Sequence, residues 1–204
     1  MDYEFDIFFS YKRNETSNPW HTGLKDSLAH WVSEELDGKH VSIFFDLEDI
    51  SVGSRWKAKI INGLCCSKCL VAVWSPDYFR SRYCVAEWLT FDMRSKITQR
   101  DLIAPASRHD GQNFPIDARA LQIAKFNEYA LVTPKFWETG YAADFEMRLV
   151  KPFARDVAKL IQQAPDFVDS FPVVDIEGDL PETAMLKEKI LIPRIASGRK
   201  SFDR

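Results

Sequence analysis

The residues of greatest chemical interest lie within a single short stretch. Cys84, Glu87, Trp88 and Phe91 stand three or four apart, so on a helix they share one face. A carboxylate inside a cysteine–aromatic stripe is costly to bury unless a partner or a ligand requires it. Partial desolvation would leave its lone pairs for a ligand. The plainer alternative places Glu87 at the edge of the stripe, solvated or bridged to Arg82 or Arg94, and periodicity alone favours it because surface glutamates are common on helices. Cys66 and Cys69 form a Cys-x-x-Cys pair, with Cys65 beside them and Cys84 apart. A structural zinc site needs a second ligand pair, which the sequence lacks, so these thiols read as small core residues where a helix hands over to a strand, and no metal is expected. His21, His30, His40 and His109 form no constellation and read as surface residues.

The elements that must position these groups alternate strand and helix. Tyr3 to Ser10 begins with alternation and ends in a continuous apolar run, as in a strand entering a sheet covered on both faces. Leu24, Leu28, Trp31, Val32 and Leu36 make a helical stripe that Gly38 closes. Val41–Phe45 is a second β run, ending at Asp46 and followed by a loop from Leu47 to Ser54. Ser54 offers an N-cap for a helix with Trp56, Ile60, Ile61 and Leu64 on its apolar face. Cys69–Trp74 is the most β-like run, and Ser75-Pro-Asp ends it. Ser81 is a candidate N-cap for a helix over about Arg82 to Lys96. Leu102–Pro105 and Leu121–Phe126 are the fourth and fifth strand candidates, the former followed by a polar loop from Ser107 to Asn113. Phe145, Leu149, Phe153, Val157, Leu160 and Ile161 form a last helical stripe in which Pro152 must kink the helix or start a fresh one.

This order implies a parallel sheet with helices on both faces, over residues 1–164, followed by an extension or linker at 165–204. In such a sheet ligands bind beyond the carboxyl ends of the strands, which selects Phe9, Ser10, Tyr11, Asp46, Ser75 and the residues around Pro105. No Gly-x-Gly-x-x-Gly, Walker or Gly-x-Ser-x-Gly motif occurs, which disfavours a dinucleotide dehydrogenase, a P-loop NTPase and an α/β-hydrolase. The formal charge of −3 in 204 residues argues against a general grip on nucleic acid. No apolar run reaches the roughly 18 residues of a membrane span. The acidic start, MDYEFD, lacks the basic region of a secretory signal, so a cytoplasmic location is expected.

Three segments carry a family resemblance. The strand ending Asp6-Ile-Phe-Phe-Ser-Tyr11 resembles the opening motif of Toll/interleukin receptor (TIR) domains. The second strand, ending in Asp46 and entering a loop with Gly53, matches the position of the family's BB loop. Ser75-Pro-Asp-Tyr-Phe-Arg-Ser-Arg-Tyr-Cys-Val-Ala-Glu-Trp88 resembles the family's serine, aromatic-Cys and glutamate pattern, with Tyr83 where a tryptophan often stands. The resemblance spans roughly residues 3 to 160, and the bacterial NAD-cleaving branch looks the nearest.

The resemblance implies a flavodoxin-like α/β fold with a five-stranded parallel sheet and helices on both faces. It also implies that Glu87 is the residue essential for NAD⁺ cleavage, with NAD⁺ as substrate and no separate cofactor. Breaking the nicotinamide–ribose bond develops positive charge on the ribose, and a fixed anion stabilises it. Ser10, Tyr11 and Ser75 are the expected polar contacts, with Phe9, Trp56 and Tyr83 as apolar or stacking surface. Asp46 would contact the substrate or order its loop, and Cys84 would pack beneath the site. Water attack gives ADP-ribose; attack by an adenine nitrogen or a ribose hydroxyl gives a cyclic isomer. Ile50, Val52 and Gly53 mark a loop for self-association with other TIR domains, under the control of an upstream sensor protein or domain. For a bacterial relative the corresponding biology is antiphage defence. The rival expectation is a non-enzymatic TIR–TIR interaction module.

Overall fold

The computed structural model describes residues 2–45, 54–131, 133, 135–169 and 171–186, with only the backbone of 54–56. Its strands are β1 Phe5–Tyr11, β2 Ile43–Phe44, β3 Ser67–Trp74, β4 Ile103–Ser107 and β5 Ala124–Lys125. Its helices are α1 Asn18–Glu35, α2 Ser54–Cys66, α3 Arg82–Thr98, α4 Ile116–Arg119, α5 Gly140–Phe145 and α6 Lys151–Gln162. All strand pairs are parallel, in the order β2-β1-β3-β4-β5. This is the expected flavodoxin-like sheet.

Strand alternation divides the core into two layers. Ile7, Phe9 and Tyr11 of β1 face α1, α5 and α6, while Phe8 joins the layer made by α2 and α3. In α1, Trp20, Leu24, Leu28 and Val32 recur every fourth residue and are completely buried. The helix ends at Asp37 and Gly38, both left-handed (φ 57° and 76°), where the Gly38 amide donates to the Ser33 carbonyl at 2.8 Å. The hand-over expected around the cysteines is present, since α2 ends at Cys66 and β3 begins at Ser67, but only Cys69 is core, while Cys65 and Cys66 are half-buried at the helix end.

Several strand boundaries differ from the sequence reading, and the alternative left open at Pro152 is resolved. β2 and β5, the two edge strands, each pair over only two residues, Ile43–Phe44 beside Ile7–Phe8 and Ala124–Lys125 beside Ala106–Ser107. β4 does not stop at Pro105; it runs through the proline, which pairs opposite Ala72, and ends at Ser107. At Pro152 the helical backbone runs on rather than starting afresh. Glu146–Val150 form a π-helical turn between α5 and α6, with right-handed backbone at Phe145, Glu146, Val150 and Lys151, and the proline follows directly after this wider turn.

Residues 165–169 and 171–186 pack back on the domain, in part along α3. Tyr3 Oη donates to the Pro165 carbonyl at 3.0 Å, the Val174 amide to Thr90 Oγ1 at 3.0 Å, and the Leu186 amide to the Phe79 carbonyl at 2.9 Å. Arg82 donates to the carbonyls of Ile176 and Gly178. Arg94 is the hub of this layer. It is completely buried and donates to the carbonyls of Leu64 (2.7 Å) and Ser67 (3.0 Å) around the end of α2, with its guanidinium between the rings of Phe91 and Phe171. Arg94→Ala should therefore destabilise the chain by about 3 kcal/mol in chemical denaturation, since it orphans two carbonyls and opens a cavity. Arg94→Lys should not restore the loss, because an ammonium lacks the planar fork.

Candidate active site

The strand order has a direct consequence for ligand binding. The chain leaves β1 through α1 toward β2 on one side, and leaves β3 through α3 toward β4 on the other. The crevice between the carboxyl ends of β1 and β3 is thus the topological switch point of the sheet. Ser10, Tyr11 and Ser75 lie at these ends, and α3 brings Cys84 and Glu87 beside them.

Glu87 is only 9% exposed. Its Oε2 accepts a 2.6 Å hydrogen bond from Ser10 Oγ, which crosses from sheet to helix. Tyr78, in a 3₁₀ turn at Tyr78–Arg80, lies 2.9 Å from the same Ser10 oxygen and is completely buried. Burial, reinforced by the nearby Cys84 and Glu87, holds the Tyr78 phenol well above its ordinary pKa, so it remains a donor. Tyr78 therefore donates to Ser10, and Ser10 donates to the carboxylate. Arg82 and Arg94 do not supply the bridge that periodicity allowed: Arg82 binds carbonyls of the C-terminal extension, and Arg94 binds those around the end of α2.

The remaining nominated residues separate by strand face. Phe9 is 2% exposed and packs edge-on against Tyr11 and Phe45 in the α1 layer, so it is core, on the opposite side of the sheet from Glu87. The Tyr11 ring also turns to that side, 5.1 Å from Phe45 and 4.5 Å from His21, whereas its carbonyl accepts the Cys84 thiol at 3.6 Å on the Glu87 side. Burial and then the Glu87 charge push the Cys84 thiol up to about 12, which keeps it protonated and inert. Ser75 Oγ accepts from the Tyr78 amide at 3.2 Å, so its hydroxyl orders the turn that delivers Tyr78. Tyr83, one turn before Glu87, remains exposed. Trp56 lies in the first turn of α2, its side chain outside the described residues. Asp46, Ile50, Val52 and Gly53 also lie outside them.

Two residues were missed or misplaced from sequence. Tyr78 stands within the Ser75–Trp88 segment, but nothing in its spacing distinguished it from a packing aromatic. His21, expected at the surface, is 1% exposed, because α1 turns it inward beside Trp20. Its Nε2 faces Arg108 Nη1 at 3.2 Å. Desolvation, then the Arg108 charge, push its pKa down to about 3. No helix among the described residues is long and apolar enough to cross a membrane.

A TIR-domain family model matches residues 7–138. The chain belongs to the TIR domain family. No curated protein matches its sequence. Among solved structures, the TIR domains of the activated Roq1 resistosome, described as directly recognizing the pathogen effector XopQ, are similar at 19% identity over 79% of this chain and 86% of that one. The TM-score is 0.38.

The buried histidine has a measurable consequence. The imidazole stays neutral in the folded chain down to about pH 3, while in the unfolded chain it protonates near 6.5. Its effect on stability is absent above pH 6.5 and grows unfavourably as pH falls toward 3. Urea denaturation of wild type and His21→Gln should show the wild type losing about 2–3 kcal/mol relative to the variant between pH 7 and 4.5.

Proposed function

We propose that this TIR domain is an NAD⁺ nucleosidase that cleaves the nicotinamide–ribose bond, with Glu87 as the catalytic carboxylate. The observation that carries the reading is the nearly buried Glu87 carboxylate, tied by Ser10 at the switch-point crevice of the sheet. Nicotinamide leaves from a cationic pyridinium and needs no general acid. The demand falls on the ribose, whose developing oxocarbenium charge a fixed anion stabilises. The Tyr78–Ser10–Glu87 chain fixes one carboxylate oxygen, so little reorganisation accompanies charge development. Water attack on the ribose carbon yields ADP-ribose; an adenine nitrogen or ribose hydroxyl brought to the same carbon yields a cyclic isomer.

Wild type, Glu87→Ala, Glu87→Gln and Ser10→Ala, concentrated or crowded to favour assembly, are to be incubated with NAD⁺ and the products separated by chromatography. Wild type should release nicotinamide. Both Glu87 variants should fall by about 100-fold or more, since Gln keeps the shape but not the charge. Ser10→Ala, which removes one hydrogen bond to the carboxylate, should fall by about tenfold. Equal release by wild type and Glu87→Ala would remove Glu87 as the catalyst. Absence of release from any protein in demonstrated assemblies would favour the TIR–TIR interaction module.

Self-association is the proposed control, with an upstream sensor protein or domain bringing copies together. Specific activity should rise with protein concentration and with forced clustering. Activity per molecule that stays constant from dilute solution to tethered clusters contradicts this.

A further inference from the structure

A second polar cluster lies on the other side of the sheet from Glu87 and has no part in the carboxylate chemistry above. Arg108 is the first residue after β4, and its amide donates to the Trp74 carbonyl at the end of β3 at 3.0 Å, so its side chain starts above the strand ends. The guanidinium lies 5.3 Å from the centre of the Trp20 ring, and Nη1 donates to His21 Nε2 at 3.2 Å. A neutral His21 that accepts at Nε2 carries its proton on Nδ1. That atom is buried and has no hydrogen-bond partner among the described residues, and neither does the buried Arg108 Nε. Among the described residues no carboxylate forms an ion pair with Arg108; Asp77 acts on it only at longer range.

The cluster is therefore rich in donors and short of an acceptor. A guanidinium drawn partly out of water without a counter-charge is a net cost to the fold. The Trp20 ring offsets only part of it. Such costs are kept where a ligand supplies the missing charge. The position narrows the choice of anion. Tyr11 is the wall between the two clusters, with its carbonyl on the Cys84 side and its ring against His21. Arg108 and Glu87 thus flank the same strand ends. In a dinucleotide a single ribose separates the reacting carbon from the diphosphate, and the guanidinium fork suits phosphate oxygens.

We propose that Arg108, braced by His21 and Trp20, binds the diphosphate of the dinucleotide whose nicotinamide end lies at Glu87. The proposal rests on the NAD⁺ reading of the site and deepens it.

The test compares wild type, Arg108→Gln and Arg108→Lys. Calorimetric titration with ADP is set against adenosine, which lacks the phosphates. Wild type should bind ADP more tightly than adenosine. Arg108→Gln should weaken ADP binding about tenfold or more without changing adenosine binding, and Arg108→Lys should fall between. Without ligand, Arg108→Gln should unfold at the same temperature as wild type or higher, because it removes an uncompensated charge. The KM for NAD⁺ should rise by more than kcat falls. Equal ADP affinity in wild type and Arg108→Gln overturns the proposal. So does a wild type that binds ADP no better than adenosine. A lowered unfolding temperature with intact ADP affinity does so as well, since it assigns Arg108 a purely structural role. The two readings fail separately: Arg108-dependent ADP binding without NAD⁺ cleavage upholds the phosphate seat and removes the nucleosidase, whereas cleavage with KM and ADP affinity unmoved does the reverse.

Discussion

The 2.6 Å hydrogen bond from Ser10 to Glu87 depends on where two strands lie. β1 and β3 are neighbours although α1, β2 and α2 intervene in the chain, and their ladder runs from Phe5 opposite Ser67 to Tyr11 opposite Val73. That pairing puts the end of β1 beneath the first turns of α3. Because side chains alternate across a strand, it also decides that Ser10, rather than Phe9 or Tyr11, meets the helix. A slip of one residue would present an aromatic ring to Glu87 and turn Ser10 into the opposite layer. The carboxylate is held because the register is held.

The same alternation gives the crevice two different flanks. On the α3 side are a carboxylate, a hydroxyl, a phenol and a protonated thiol, linked by hydrogen bonds to one another or to the backbone. On the α1 side are aromatic rings, a neutral histidine and a guanidinium whose donors outnumber its acceptors. An anion fixed on one flank and a cation on the other suit a ligand that gains positive charge at one point and carries negative charge at another.

Part of the support for α3 comes from outside the matched family segment, which ends at residue 138. Val174, Ile176, Gly178 and Leu186 bond to Thr90, Arg82 and Phe79, and Phe171 closes over Arg94. Arg94 in turn binds the carbonyls at the end of α2. The helix that presents Glu87 is thereby fixed along its length by backbone and cationic contacts as well as by its apolar face.

Local pattern was enough for the alternation of strands and helices, for the three segments that resemble TIR domains, and for singling out Glu87 and the strand-end Ser10, though not for the bond between them. These features are local or periodic, and side-chain spacing carries them. Other features depended on contacts between residues far apart in the chain. Phe9 read as stacking surface because a strand's apolar run does not say which face each ring takes. His21 read as exposed because its burial depends on Tyr11 and on Arg108, 87 positions away. Arg108 was assigned to the polar loop after the fourth strand and does lie there, as the first residue after β4, but its contacts with Trp20 and His21 are long-range and leave no local signal. The sequence by itself therefore determined the order of elements and the residue types available for chemistry. Only the tertiary structure decided which of those residues meet, because sheet register and strand order are set by long-range pairing rather than by any local preference.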